Sequence, residues 1–594
     1  MRLSVPDRTI PRKGSFDSTP HQVKQWIDHL PMANIGATAR LLFTALTELN
    51  HQDVPAQQRF KALELLRKPV AFASENMTRH FVGKPLPLAE KNLKIARLSR
   101  ELIRVLATGY KILVMEQIAG VARDDKKLLV TCMQRAIKLQ GQVLLKACQV
   151  YEPYPETVWL EIHSLYRHAE SNRLHTLKVT DEFASSEALS TIADNYKQIL
   201  LLALACPYRL RHGEAAIVYD LLEKWAPYAK LGLVGENGTG LFCTNLDTDQ
   251  PPTYLVLRDA NENRSTCRVL NTAQLAEQVR AALSASRNSD NSISGAGKIS
   301  TSALKHMMLT WGIMPKRRYS RTAEHSQIIV ATGLSAVHYF VSGEFAFSEK
   351  RNHTFTDTSS QDGPRLQDRA HFQARETGGR TPDVWDINTL IPAAAESENA
   401  EITGSTSGLQ IDTNHRTHSW KMINVSAGGY CLLWDNAETT RSQVGELLGI
   451  REQSDPDTFH WRLGVTRWLK FAEKEGLQLG VQMLSPGAVA VAAQLDGRQK
   501  TDEDYVRGLL LPEVASIQQK ATMLLSSPPF RTGDNVRVNC HGKDIRIKLT
   551  KLVENTGSFA QFQFCSLGEI PQKKSLKEAK SFKSSDFDDV WELI

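Results

Sequence analysis

The sequence predicts an α+β chain, with an all-helical N-terminal region followed by antiparallel β domains. Two observations carry that expectation. From about residue 18 to about residue 230, apolar side chains recur three or four apart, which is the period of an amphipathic helix. From about residue 314 onward they fall instead into short, strand-like runs. A chain of 594 residues also exceeds what one hydrophobic core organises, so several domains are expected.

In chain order, residues 18–230 read as a helical bundle or scaffold. The stretch EKNLKIARLSRELIRVLATGYKILVMEQ sets Ile95, Leu98, Leu102 and Val105 on one helical face. A second stretch, SSEALSTIADNYKQILLLALACP, does the same with Leu189, Ile192, Tyr196 and Ile199, and stops at Pro207. No cluster of titratable residues stands out here, so a scaffold that docks a protein partner fits this half better than a catalyst. Residues 231–300 form a small mixed α/β segment, with strand-like GLFCTNLD, TYLVLRD and TCRVLN followed by the helical TAQLAEQVRAALSA. Its GLVGENGTG resembles a phosphate-binding loop only superficially. Leu241 and Phe242 follow Gly240 where such a loop needs Lys and then Ser or Thr, which makes a glycine-rich turn the better reading.

Residues 314–485 are strand-rich around one polar interruption at about 348–414. That interruption has too few aliphatic residues to offset its ordering entropy and is expected to be disordered. The segment SQIIVATGLSAVHYF reads as β, and strands resume after the interruption with SWKMINVS and GYCLLW. Residues 500–570 read as a small antiparallel β domain, and 571–594 as a flexible tail.

Composition narrows the function classes. The net charge of +7, from 72 basic against 65 acidic residues, permits an anionic partner without requiring nucleic acid. The eight cysteines, at 132, 148, 206, 243, 267, 431, 540 and 565, form no C-x-x-C pair, so structural zinc lacks its spacing. Scattered thiols, no apolar leader and no run long enough to span a membrane predict a cytoplasmic protein without a membrane span. Neither Ser335 nor Ser426 completes G-x-S-x-G, and His415 with His418 has no third ligand in sequence. No catalytic and no metal-binding residues are assigned, and the chain is expected not to be an enzyme.

Two short motifs stand out. MPKRRYSR concentrates Lys316, Arg317, Arg318 and Arg321 just ahead of a strand, with Arg317 and Arg321 four apart. NVSAGG, from Asn424 to Gly429, ends a later strand. RxxxR followed by [DN]xSxxG resembles the PilZ family of cyclic di-GMP receptors, over Lys316 to Ser485. The strands VGELLGI, WRLGVTRWL and GLQLGVQML look like later strands of that family's six-stranded antiparallel barrel. The resemblance implies a PilZ-like barrel that binds cyclic di-GMP through Arg317, Arg318, Arg321, Asn424, Ser426 and Gly429. It also implies a signalling output in motility, type IV pili or biofilm formation.

The residue types suit that ligand. Arginine's planar fork can pair with phosphate oxygens or guanine O6 and N7, and its face can stack on a purine. Asn424 and Ser426 offer neutral donors and acceptors, and Gly429 lets a backbone and a ligand approach closely. Arg318, outside the i, i+4 pair, is expected to contribute less. The motifs stand further apart than is usual in the family, but the cost of lengthening a flexible loop is only about 0.6 kcal/mol per doubling. Two other readings compete: a nucleic-acid-binding protein using the same basic cluster, and a protein-interaction scaffold whose PilZ-like barrel has no ligand. The first lacks an aromatic-plus-basic platform on its strands. Against the second stand the intact arginine pair and NxSxxG.

Overall fold

The computed structural model describes the chain apart from residues 2, 12, 122–124, 184–188, 235–239, 258–262, 289–298, 313–318, 346, 348–414, 437, 454–459, 497–504, 515–518, 541–542 and 570–594. The expected disordered interruption, the expected tail, most of the glycine-rich turn, and Arg317 with Arg318 lie outside the described residues. Two compact units divide the chain. Unit 1 takes Met1–Lys316 with the short segments Ala437–Thr440 and Leu469–Leu477, and unit 2 takes the remainder.

Unit 1 begins with eight helices: α1 (Pro20–Asp28), α2 (Ile35–His51), α3 (Ala56–Thr78), α4 (Glu90–Ile118), α5 (Lys126–Gln149), α6 (Val158–Ser171), α7 (Ile192–Leu204) and α8 (Glu214–Trp225). A short hairpin, β1 (Lys178–Thr180) with β2 (Leu189–Thr191), precedes α7. The buried stripe of α4 runs through Leu93, Ala96, Ser99, Leu102, Ile103 and Leu106. It is rotated from the expected face, since Ile95, Leu98 and Val105 are only half-buried. Helix α7 starts later than its periodicity suggests. Thr191 caps it by accepting from the Asp194 amide (3.0 Å), which leaves Leu189 on β2, exposed.

Helix α5 is covered on nearly every side, so its polar side chains must pair inside the protein. Arg135, Lys138 and, from α3, Arg67 surround Asp181, whose side chain is fully buried, at 3.4, 2.9 and 2.6 Å. Glu64 takes the Tyr110 hydroxyl (2.5 Å), and Glu223 lies 3.4 Å from Lys138. The titratable cluster that the linear sequence does not reveal is therefore present, with three cations facing three carboxylates. Its charge balance marks it as structural.

Burial works to raise the Asp181 pKa, but Lys138, Arg135 and Arg67 outweigh it and hold the carboxyl well below the usual range. A depressed folded pKa stabilises the fold above the unfolded value of about 3.9, and that stabilisation is lost as pH falls toward the folded value. Asp181→Ala should therefore cost about 3–5 kcal/mol at neutral pH, because it strands buried cations. Urea unfolding at pH 6 and at successively lower pH should show the gap between wild type and Asp181→Asn narrowing below about pH 4. A gap that stays constant with pH would contradict this account.

The rest of unit 1 is a four-stranded antiparallel sheet of β3 (Lys230–Leu233), β4 (Phe242–Asn245), β5 (Thr253–Tyr254) and β6 (Cys267–Asn271), in the order β3-β6-β4-β5. Helices α9 (Ala273–Asn288) and α10 (Thr301–Gly312) follow and pack together. TYLVLRD is only partly a strand. Beyond Tyr254 the chain turns into a 3-10 helix at Leu255–Leu257, with Val256 and Leu257 exposed. Its partner β4 offers just Phe242 and Cys243 for pairing.

Unit 2 holds two barrels. The first contains β7 (Thr322–Ala323), β8 (Gln327–Thr332), β9 (Thr417–Ser426), β10 (Gly429–Trp434), β11 (Leu447–Glu452), β12 (Arg462–Ala472) and β13 (Gly476–Ser485). Strand order β10-β13-β12-β11-β8-β9, closed by the β9–β10 pairing, makes a six-stranded antiparallel ring, with β7 added on β9. The expected strand SQIIVATGLSAVHYF is half helix: β8 ends at Thr332, Gly333 turns the chain at φ +92°, and Leu334–Val341 form α11. Its apolar residues Ala336, Val337, Phe340 and Val341 fit the 3.6 period rather than alternation, and they face the core.

The second barrel closes β14 (Val489–Leu495), β15 (Val506–Leu511), β16 (Thr522–Leu525), β19 (Ala560–Glu569), β18 (Lys543–Asn555) and β17 (Asn535–Cys540) in that spatial order. Its interior is filled by Val491, Met523, Val536, Ile547, Leu549 and Phe562. A shared cluster joins the two barrels, with Val337, Leu463 and Trp461 packed against Leu509, Leu524 and Phe559. Among the described residues, no helix is long and apolar enough to cross a membrane.

Candidate ligand-binding site

Strand β9 carries the second motif at its C-terminal end, and its pairing decides what surrounds that motif. On one side, Tyr430 pairs with Val425 and Cys431 with Asn424. On the other, Thr322 pairs with Val425 and Ala323 with Asn424. One residue earlier, Arg321 comes level with Ser426. The long loop between the motifs therefore does not separate them in space.

A register shift explains how polar residues sit here. Cys431 pairs with Asn424 but Leu432 pairs with Met422, so β9 carries one extra residue, Ile423. Such a bulge resets the inside–outside alternation. Trp420 and Met422 point into the barrel and are buried, whereas Asn424, Val425 and Ser426 are half-buried and Arg321 is exposed. Without the bulge, the alternation set by Trp420 and Met422 would carry Asn424 and Ser426 inward.

The turn Ala427–Gly428 joins β9 to β10. Ser426 donates its hydroxyl to the Gly429 carbonyl (3.2 Å), closing the hairpin. Burial pushes the Cys431 thiol pKa up, opposed by the Arg321 charge and by a hydrogen bond with the Asn424 side chain. The Arg321 charge is thus felt on the strand beyond Asn424. Next along β10, Tyr430 accepts from Arg462 (2.9 Å), which also pairs with Glu452 (2.8 Å).

Gly429 has a specific neighbour. A Cβ there would lie 1.8 Å from the Val481 carbonyl oxygen, at a backbone φ of +152°. The sequence expectation was that this glycine gives a ligand room, but in the structure the room is taken by β13. The only sequence signals for the other groups at this site were weak: an aromatic, Tyr319, inside RRYSR, a second glycine, Gly428, and Cys431 on the next strand.

The two histidines raised by the sequence, and two tryptophans of the first barrel, are engaged in packing. His415 lies against Tyr339 (4.8 Å between ring centroids) and His418 against Trp434 (5.4 Å). Trp461 is buried in the core shared by the barrels, beneath Arg451. The Trp468 ring lies across Gly480, where a Cβ would come within 1.9 Å of Nε1.

Comparison with known proteins agrees along the whole chain. Three family models match in succession: cyclic-di-GMP receptor FimW, N-terminal domain, over 21–236; its middle PilZ domain over 241–489; and the FimW C-terminal beta-barrel domain over 491–567. The middle model includes β4, β5 and β6 of the small sheet and α9–α10, which the packing groups with the helices of unit 1, whereas β3 falls within the N-terminal model. The cyclic-di-GMP receptor FimW of Pseudomonas aeruginosa is 30% identical over 610 aligned residues, covering 100% of this chain and 99% of that protein. No solved structure matches the chain.

Proposed function

Because the chain belongs to the family of the cyclic-di-GMP receptor FimW, we propose that it is itself a cyclic di-GMP receptor rather than an enzyme. The observation that carries this reading is the β7–β9 register, Thr322 opposite Val425 and Ala323 opposite Asn424, which continued by one residue sets Arg321 opposite Ser426. A guanidinium next to neutral amide and hydroxyl groups is the combination that a guanine base joined to a phosphodiester calls for. Arg317 and Arg318, just upstream, would add charge to the same segment, and Gly429 would keep the hairpin tight beneath it.

Calorimetry with cyclic di-GMP on the purified chain, with GTP and short DNA as controls, tests this directly. Saturable binding of cyclic di-GMP alone is the expected result. No heat at high micromolar ligand would end the receptor reading.

The receptor is further proposed to act in the cytoplasm and to pass ligand binding to a protein partner docked on the helical region, with output in motility, pili or biofilm formation. The exposed apolar side chains Leu41 on α2 and Phe72 on α3 support a docking role for these helices. Cross-linking of the full chain in cell extract should place partner cross-links on residues 20–225. Cross-links confined to the two barrels would move the docking site to unit 2.

A further inference from the structure

We propose that Tyr319 is a positioning residue for the cyclic di-GMP site: its ring, seated on the bare face of Gly428, holds Arg321 against the end of β9. This rests on the receptor reading above and adds a residue and a device to it.

The seat has three parts. A Cβ at Gly428 would lie 2.9 Å from Cδ2 and 3.1 Å from Cε2 of Tyr319, and it would meet nothing else within 4 Å. The glycine itself is fixed, because its carbonyl accepts from the Met483 amide on β13 (3.1 Å) and Gly429 beside it abuts the Val481 carbonyl. The backbone of Gly428 is not at positive φ, so that position does not need glycine for its own conformation. The missing Cβ therefore serves the ring.

Tyr319 stands two residues before Arg321, and the residue remains 48% exposed. Beyond Arg321, β7 pairs with β9 at only two positions, followed by the Glu324 amide donating to the Ile423 carbonyl (3.1 Å). So short a pairing is weak by itself. The ring-on-glycine contact supplies the second anchor, so that Arg321 is bracketed by Tyr319 on one side and β7 on the other. Holding a binding side chain in place before the ligand arrives removes part of the ordering cost of binding.

Gly428→Ala tests this with a single methyl group aimed at the ring. Cyclic di-GMP affinity should fall roughly five- to tenfold in Gly428→Ala and in Tyr319→Ala, with the melting temperature unchanged. Tyr319→Phe, which keeps the ring, should bind like wild type. Combining Gly428→Ala with Tyr319→Ala should cost no more than either alone, since both remove one contact. Hydrogen exchange at the Glu324 amide should quicken in both single variants without ligand.

Wild-type affinity in Gly428→Ala, additive losses in the double variant, or a loss in Tyr319→Phe equal to that in Tyr319→Ala would each overturn the proposal. Arg321→Ala separates the two ideas. If it abolishes binding while Gly428→Ala and Tyr319→Ala bind normally, only the positioning role falls. If wild type does not bind, both fall.

Discussion

Gly429→Ala should leave the first barrel of unit 2 unable to close properly. The added methyl would lie 1.8 Å from the Val481 carbonyl oxygen, 2.9 Å from its carbon and 3.2 Å from the Gln482 Cα. All three are backbone atoms of β13, so no rotamer change can relieve the overlap. The φ of +152° adds strain for any residue with a Cβ. Overpacking and backbone strain together should cost about 3 kcal/mol or more. Urea or thermal unfolding of the full chain would show it, with the transition assigned to unit 2 by hydrogen exchange followed by mass spectrometry. A melting temperature within about 2 °C of wild type would mean that β10 and β13 do not approach this closely. Loss of ligand binding in this variant would follow from loss of the barrel and says nothing about direct contact.

Arg321→Ala should instead leave the fold intact, because Arg321 is exposed and belongs to no described ion pair. Its expected effect is on binding. A charged, directional hydrogen bond removed from the ligand should cost about 1.5–3 kcal/mol, or roughly ten- to hundredfold in affinity for cyclic di-GMP. Arg321→Lys should also weaken binding, since an ammonium keeps the attraction but loses the fork and the stacking face. Arg317→Ala is expected to act similarly and Arg318→Ala less.

Asn424→Ala should reduce affinity without removing the phosphate attraction. Ser426→Ala needs more care. The serine hydroxyl also closes the hairpin onto Gly429, so about 1 kcal/mol of stability should go with it. Calorimetry alongside circular dichroism separates the two effects. Unchanged affinity in Arg317→Ala and Arg321→Ala would move the ligand elsewhere on the protein.

Much of the architecture was legible because it is written locally. A 3.6 period in α4 and α7, short strand-like runs in β11 to β13, and two motifs within a few residues each are all properties of neighbouring side chains. The misreadings have local causes too. GLSAVHYF is apolar enough for a strand or a helix, and Gly333, followed by a core-facing helical stripe, decides for the helix. The stripe on α4 was displaced because buried Ser99 and Ala96 face the core, where hydrophobicity alone would not rank them first.

The sequence alone determined the family resemblance, the order of helical and β regions, and the residue types offered to a dinucleotide, because each of these depends on identities and short spacings. Only the tertiary structure decided where those residues meet. The bulge at Ile423, the pairing of β7, just after Arg321, with β9, the Val481 carbonyl beneath Gly429, the Tyr319 ring on Gly428 and the cations around Asp181 each join residues from different strands, helices or loops. Such neighbours are chosen by close packing and by the need to pair every buried charge, and no single stretch of sequence carries that information.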